Sequence, residues 1–239
     1  MKKFLISLAL TISASVLAPT AFAAKSKPTI AVIEFKNESG AGWWRGGVGW
    51  ELSGMLSNEL ASSRSFTVLE RSKIQSVLEE QNLAASGRVT AQTGARMGKL
   101  VGAQYLVAGT VTAYEEEVAS TGGGISFGGI SVGGKSESAY LAVDLRIIDS
   151  TTGAIAYSRS IEGRSKGGGM SLGLSRGGFG GTLANENKTP AGKAIRAALI
   201  EASDYMECFM VTKSRRCMAN FDAKEQKRRD SSRGALQLD

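Results

Sequence analysis

The hydrophobic and polar positions of this chain fall into two periods. Thr29-Ile-Ala-Val-Ile-Glu-Phe35 is a β-branched apolar run behind Pro28, and it predicts a buried strand. Asn37 to Gly40 predicts a turn, followed by a glycine- and tryptophan-rich loop over Ala41–Gly49. Leu52, Met55, Leu56 and Leu60 then recur at helical spacing. Phe66–Leu69 reads as a short strand, and Ile74, Val77 and Leu78 mark a second helix over Ser72–Asn82. Thr90 can cap a third helix that would end near Gly102. Tyr105–Val111 is another strand. This β-α-β-α-α-β order predicts an α+β protein: an α/β domain with one mixed sheet and helices packed on it.

Beyond that domain the composition changes. Gly122–Gly134 holds seven glycines, and Gly163–Gly181 holds nine. Between them, Leu141–Ile148 and Ile155–Ile161 are clear strands joined by the turn Ser150–Gly153. Glycine and serine also compose flexible linkers, which is the competing reading. Against it stands the pattern Ile125-Ser-Phe127, Gly-Gly, Ile130-Ser-Val132. A two-residue turn would pair Phe127 with Ile130 and Ile125 with Val132, all four on one face. Met170, Leu172 and Leu174 alternate with small polar residues in the same way, with Phe179 on a returning strand. A barrel strand needs about 9–11 alternating residues to cross a membrane. The two hairpins, about 112–143 and 157–186, would supply four strands, and four cannot close a barrel alone. Thr189-Pro190 then opens a helix with its apolar stripe at Ile195, Ala198, Leu199, Ala202, Met206 and Phe209.

The ends of the chain set the compartment. Lys2 and Lys3, an apolar stretch from Phe4 to Leu17, and Ala21-Phe-Ala23 form a secretory signal peptide over residues 1–23. The apolar run is too short for a membrane anchor, and Pro19 keeps it from continuing. The protein is therefore expected in the periplasm or outer membrane, with a main domain over 24–212. The net charge of +7 sits mostly at the ends; the body is near neutral, and residues 213–239 form a basic tail expected to be solvated and disordered. A charged tail is not a nucleic-acid-binding face, so no nucleic acid is expected as a partner.

Histidine is absent, which excludes imidazole bases and the serine and cysteine triads. No phosphate loop occurs, since Gly122–Gly124 is not followed by Gly-Lys-Ser/Thr. Glu115–Glu117 fits a polar rim where a strand leaves the domain better than a paired-carboxylate site. The chain thus reads as no enzyme, with no cofactor and no metal. Cys208 and Cys217 either pair across a short loop, as an oxidising compartment permits, or stay free thiols.

Several segments carry a resemblance. They are Thr29–Gly40, Phe66–Ser72 with Val77–Gln81, Gly102–Val111 and Val143–Gly153. In order and spacing they resemble the family of the curli secretion channel, CsgG, with its holdfast-anchor relatives, from about Lys27 to Val211. The resemblance implies a periplasmic α/β domain that assembles into a homo-oligomeric ring, a nonamer in the curli channel. It implies two hairpins per subunit in one shared outer-membrane barrel. Unfolded curli-like or adhesin subunits would diffuse out through it without nucleotide hydrolysis. A periplasmic accessory protein is a further candidate partner. In the curli channel the loop after the first strand narrows the pore. The corresponding loop here is Gly40–Trp50, shorter and without that motif, and Trp43, Trp44 and Arg45 are its candidate lining residues. The alternative is that the tryptophans pack beneath the helix at Leu52. Ala21-Phe-Ala-Ala24 lacks the acylated cysteine of the curli channel. This leaves a second expectation alongside the pore, a soluble periplasmic scaffold assisting envelope or surface-polymer assembly.

Overall fold

The computed structural model describes residues 26–120, 125–127, 130–171 and 189–235. Strand β1 (Thr29–Val32) lies at the centre of the domain, with Ile30, Ala31 and Val32 at most 2% exposed. It pairs in parallel with β3 (Thr67–Leu69) on one side and β4 (Tyr105–Ser120) on the other. A strand buried on both faces has to be continuously apolar, which is why the run lacks alternation.

The predicted strand stops short of Phe35. The backbone jogs there, and β2 (Lys36–Asn37) resumes pairing with β4. The Phe35 side chain is buried against Gly109, where any Cβ would overlap its ring. Helix α1 (Val48–Ser62) starts from Gly47, whose φ of 89° is a left-handed conformation suited to glycine. Val48, Leu52, Leu56 and Leu60 form its buried stripe, and Ser53 Oγ donates to Val32 O at 3.2 Å.

Helix α2 (Ile74–Ala85) forms as expected but buries only Gln81, leaving Val77, Leu78 and Leu83 more than a third exposed. The third helix expected over Thr90–Gly102 does not form. Isolated turns replace it, with Gly98 at φ 71° and the Thr90 and Thr93 hydroxyls bonded to each other at 2.7 Å. A left-handed residue breaks an α-helix, and Met97, Leu100 and Val101 are exposed, so no core contact compensates.

β4 continues antiparallel with β6 (Ile130–Asp149), from Tyr105↔Asp149 to Ser120↔Lys135. At the far end β5 (Ile125–Phe127) also pairs with β6. β7 (Ile155–Ser171) pairs antiparallel with β6 along its length, after a turn held by Asp149. The result is a mixed sheet, parallel at one end and antiparallel at the other. Helix α3 (Pro190–Met206) is capped by the Thr189 hydroxyl, which accepts from Gly192 N at 3.0 Å. It packs on β6 and β7 through Ala194, Ile195, Ala198, Leu199 and Ala202.

Within residues 213–239, expected as a solvated tail, the described part is largely helical. After a π-helical turn (Glu207–Thr212), residues Arg215–Ala235 form helix α4. Three things order it: Cys208 and Cys217 are disulfide-bonded, Phe221 is buried, and Glu225 pairs with Arg228 and Arg229 one turn on.

Candidate functional site: the β-ribbon and the loop after β1

β4 has a register shift between Val111 and Ala113. Up to Val111 its outer edge is covered by β1 and β2. From Thr112 onward no described strand pairs with that edge. β7 likewise has β6 as its only described strand partner. β4, β6 and β7 thus form a long antiparallel ribbon that extends past the domain.

Its base is firmly seated. Ala139 and Leu141 of β6 are buried, and Ser165 Oγ donates to Pro190 O at 2.6 Å. Gly163 lies against α3 so closely that a Cβ there would overlap the Ala194 carbonyl. Only glycine permits that approach. Above this contact the ribbon carries a charged band. Arg164 sits 5.1 Å from the Tyr140 ring and pairs with Glu162 at 2.9 Å. Glu115, Glu117, Ser138, Tyr140 and Arg164 surround a cavity of about 310 Å³. Glu115–Glu117 therefore lie where the ribbon departs from the domain.

At the far end, Phe127 pairs with Ile130 and Ile125 with Val132. By this register the four positions fall on one face. Met170 is in β7, opposite Gly134. Leu172, Leu174 and Phe179 lie outside the described residues.

The loop after β1 packs against the ribbon base. Asn37 Oδ1 accepts from Ser39 N at 3.0 Å and from Ser39 Oγ at 2.7 Å, which forms a tight turn. Gly40 is next, at φ 68°. Trp43 is 9% exposed; its ring meets Tyr114 of β4 edge-on, centroids 5.4 Å apart, and Trp44 at 5.6 Å. Within the protomer the Trp43 ring is thus enclosed by its neighbours. Its indole N–H is buried without an acceptor among the described residues. Trp44 is half-buried and Arg45 exposed, and both line a cleft of about 650 Å³ with Lys36 and Asn37.

Sequence reasoning missed Tyr114 as the seat of the loop, and it missed Arg159. The Arg159 side chain is 9% exposed and lies 5.6 Å from the Tyr205 ring and 5.7 Å from the Phe221 ring. It donates to the Phe221 carbonyl and sits 3.8 Å from Glu225. The arginine-bearing strand gave no signal, since its partners lie far along the chain. Hydrogen bonds from Arg228, then Arg229, hold the Glu225 carboxyl down at about 2. Burial pushes the Asp204 carboxyl up, helped by Glu201 and Glu207. No group of three or more His, Cys, Asp or Glu among the described residues is placed to hold a metal. None of the described helices is long and apolar enough to cross a membrane.

The fold and site define an α+β domain with one mixed sheet, prolonged on one side into an antiparallel β-ribbon. The chain belongs to the CsgG family: the family described as "Curli production assembly/transport component CsgG" matches residues 12–235. This is a family of secretion and assembly components, not of enzymes. The curli production assembly/transport components CsgG of Escherichia coli K12 and Salmonella typhimurium are each 32% identical to it over 108 residues. That match spans 44% of this chain and 39% of each relative's length. Among solved structures, a hypothetical protein of Chlamydia trachomatis is similar at 14% identity and a TM-score of 0.43. The match covers 78% of this chain and 99% of that one. The PelC dodecamer of Paraburkholderia phytofirmans is similar at 12% identity and a TM-score of 0.30, over 74% and 87% of the two chains.

Proposed function

We propose that this chain is one subunit of a ring-shaped outer-membrane secretion channel, through which unfolded curli-like or adhesin subunits leave the periplasm by passive diffusion. The observation that carries this reading is the ribbon of β4, β6 and β7, whose outer edges no described strand covers. An open strand edge is a template for another chain. The edges belong to different strands, so copies would join head to tail, and a head-to-tail contact closes into a ring when the rotation allows. The ribbon is long enough for membrane-crossing strands, and the one-face register of Ile125, Phe127, Ile130 and Val132 suits lipid on one side.

The channel needs a throat, and the loop after β1 supplies one. Trp43 anchors it on Tyr114 at the ribbon base, and Trp44 and Arg45 project from the anchored segment as the constricting side chains. Aromatic faces make brief contacts with an extended chain, while a narrow throat excludes folded proteins. The candidate pore lining is thereby narrowed to Trp44 and Arg45.

Planar-bilayer recording tests this. Trp44→Ala should raise the single-channel conductance of the detergent-extracted protein, and an unchanged conductance sinks the throat assignment. Fractionation tests the broader reading. A heat-stable oligomer in outer membranes supports the channel, whereas release by osmotic shock favours a soluble periplasmic scaffold.

A further inference from the structure

The end of α3 and the start of α4 are joined covalently in the wall of an open cleft. Cys208 lies in the π-helical turn and is 1% exposed; Cys217 lies in the first turn of α4 and is half-buried. Their Sγ atoms are bonded and their Cα atoms are 6.0 Å apart. Lys213, at φ 49°, reverses the chain between them, and Ser214 Oγ caps α4 by accepting from Cys217 N at 3.2 Å. The cleft, about 830 Å³, separates α3 from α4, and both cysteines line it with Glu207, Arg216, Phe221 and Lys224. A reagent in solution can therefore reach the disulfide.

The other contacts that hold α4 are few. Its apolar positions near the body are Cys217, Met218 and Phe221, and the rest of the helix is mostly charged. The Phe221 ring meets Tyr205 edge-on at 5.5 Å and Phe209 at 6.1 Å, and Arg159 clasps it from β7. Beyond that ring come the Lys224–Glu201 pair at 2.7 Å and the longer Arg159–Glu225 pair. The Lys224–Glu201 pair, with Lys224 60% exposed, adds little, whereas the Arg159–Glu225 pair is largely buried, so Arg159 and Phe221 form the non-covalent seat of α4. The disulfide closes a short loop, and that closure favours the docked arrangement by on the order of a hundredfold over the reduced chain.

We propose that Cys208–Cys217 is a redox latch, which a dithiol reductant of the Cys-X-X-Cys class opens to release α4 from α3 and β7. A thiolate of the reductant attacks the more exposed Cys217 Sγ. The Cys208–Cys217 bond breaks, the electron pair leaves on Cys208 Sγ, and that sulfur takes up a proton. The second thiol of the reductant then attacks its partner sulfur in the mixed disulfide and expels Cys217 as a thiolate. Two electrons have passed to the chain, and the reductant is left as its own disulfide. The second step is favoured by position: Cys217 lies in the N-terminal turn of α4 beside Arg216, a setting that stabilises a thiolate. Opening uncovers the aromatic faces of Tyr205 and Phe209 and the Ser158–Arg159 stretch of β7. The latch stands independently of the channel reading.

The test uses the full chain, oxidised or equilibrated with graded dithiothreitol, then probed by limited trypsin digestion and hydrogen exchange. Cleavage at Arg215–Arg229 should rise by on the order of a hundredfold on reduction, while β1 and α1 keep their protection. Cys217→Ser should show the reduced pattern without reductant. Trapped with iodoacetamide early in reduction, Cys208 should carry the label while Cys217 is still held in the mixed disulfide, the order that attack on Cys217 requires. An α4 that stays equally protected after reduction overturns the latch. So does a simultaneous loss of protection in α1 and β1, which would make the bond a staple of the whole fold.

Discussion

At the scale of single residues, the close approaches were the hardest features to read from the sequence. Gly109 and Gly163 look like ordinary strand glycines, yet one holds the Phe35 ring and the other the Ala194 carbonyl. Gly163→Ala should destabilise more than Gly109→Ala, because a helix backbone yields less readily than a ring. Overpacking of this kind costs about 1–3 kcal/mol, readable by thermal or denaturant unfolding. Trp43 was ambiguous for a related reason. An apolar aromatic in a glycine-rich loop fits either a throat or a core, and only the position of Tyr114, far along the chain, decides between them. Trp43→Ala should cost about 3–5 kcal/mol, as removal of a buried large aromatic does, whereas Trp44→Ala should cost far less. Equal losses in the two variants would contradict the anchor-and-throat division.

At the scale of elements, helical periodicity located α1 and α3, whose apolar stripes pack inward, and unbroken apolar runs located β1 and the start of β4. It failed over Thr90–Gly102, where the residues can form a helix but nothing lies nearby to bury it against. It failed in the opposite sense at the tail, where average charge concealed the short stripe Cys217, Met218 and Phe221. The pairing of Phe127 with Ile130 and of Ile125 with Val132 was legible in the mirrored pattern of the two segments. Helix α2 has few buried side chains and little tertiary contact, so its amides should exchange faster than those of α1 in the isolated protomer. Hydrogen exchange measured by mass spectrometry checks this, and equal protection would contradict it. Helix α4 should respond to acid. Glu225 is held at about 2, below its usual carboxylate value of 4.5. Its contribution is present above the unfolded value and is lost as pH falls from about 4.5 through 2. Protection of α4 should decline across that window, and Glu225→Gln should remove the dependence.

At the scale of the whole molecule, a protomer with a well-filled core carries a ribbon that its own contacts leave unfinished. The charged band at Glu115–Glu117 and Arg164 marks where the filled part ends. Edges that no described strand covers are templates for other chains, and in the proposed channel repetition around an axis would cover them. The proposed ring of copies rests on this ribbon. The decisive measurement is electron microscopy of the detergent-extracted, full-length protein. Rings with a central opening, built from head-to-tail copies, are the expected particles. Single protomers, or compact particles without an opening, would contradict a channel built from this ribbon.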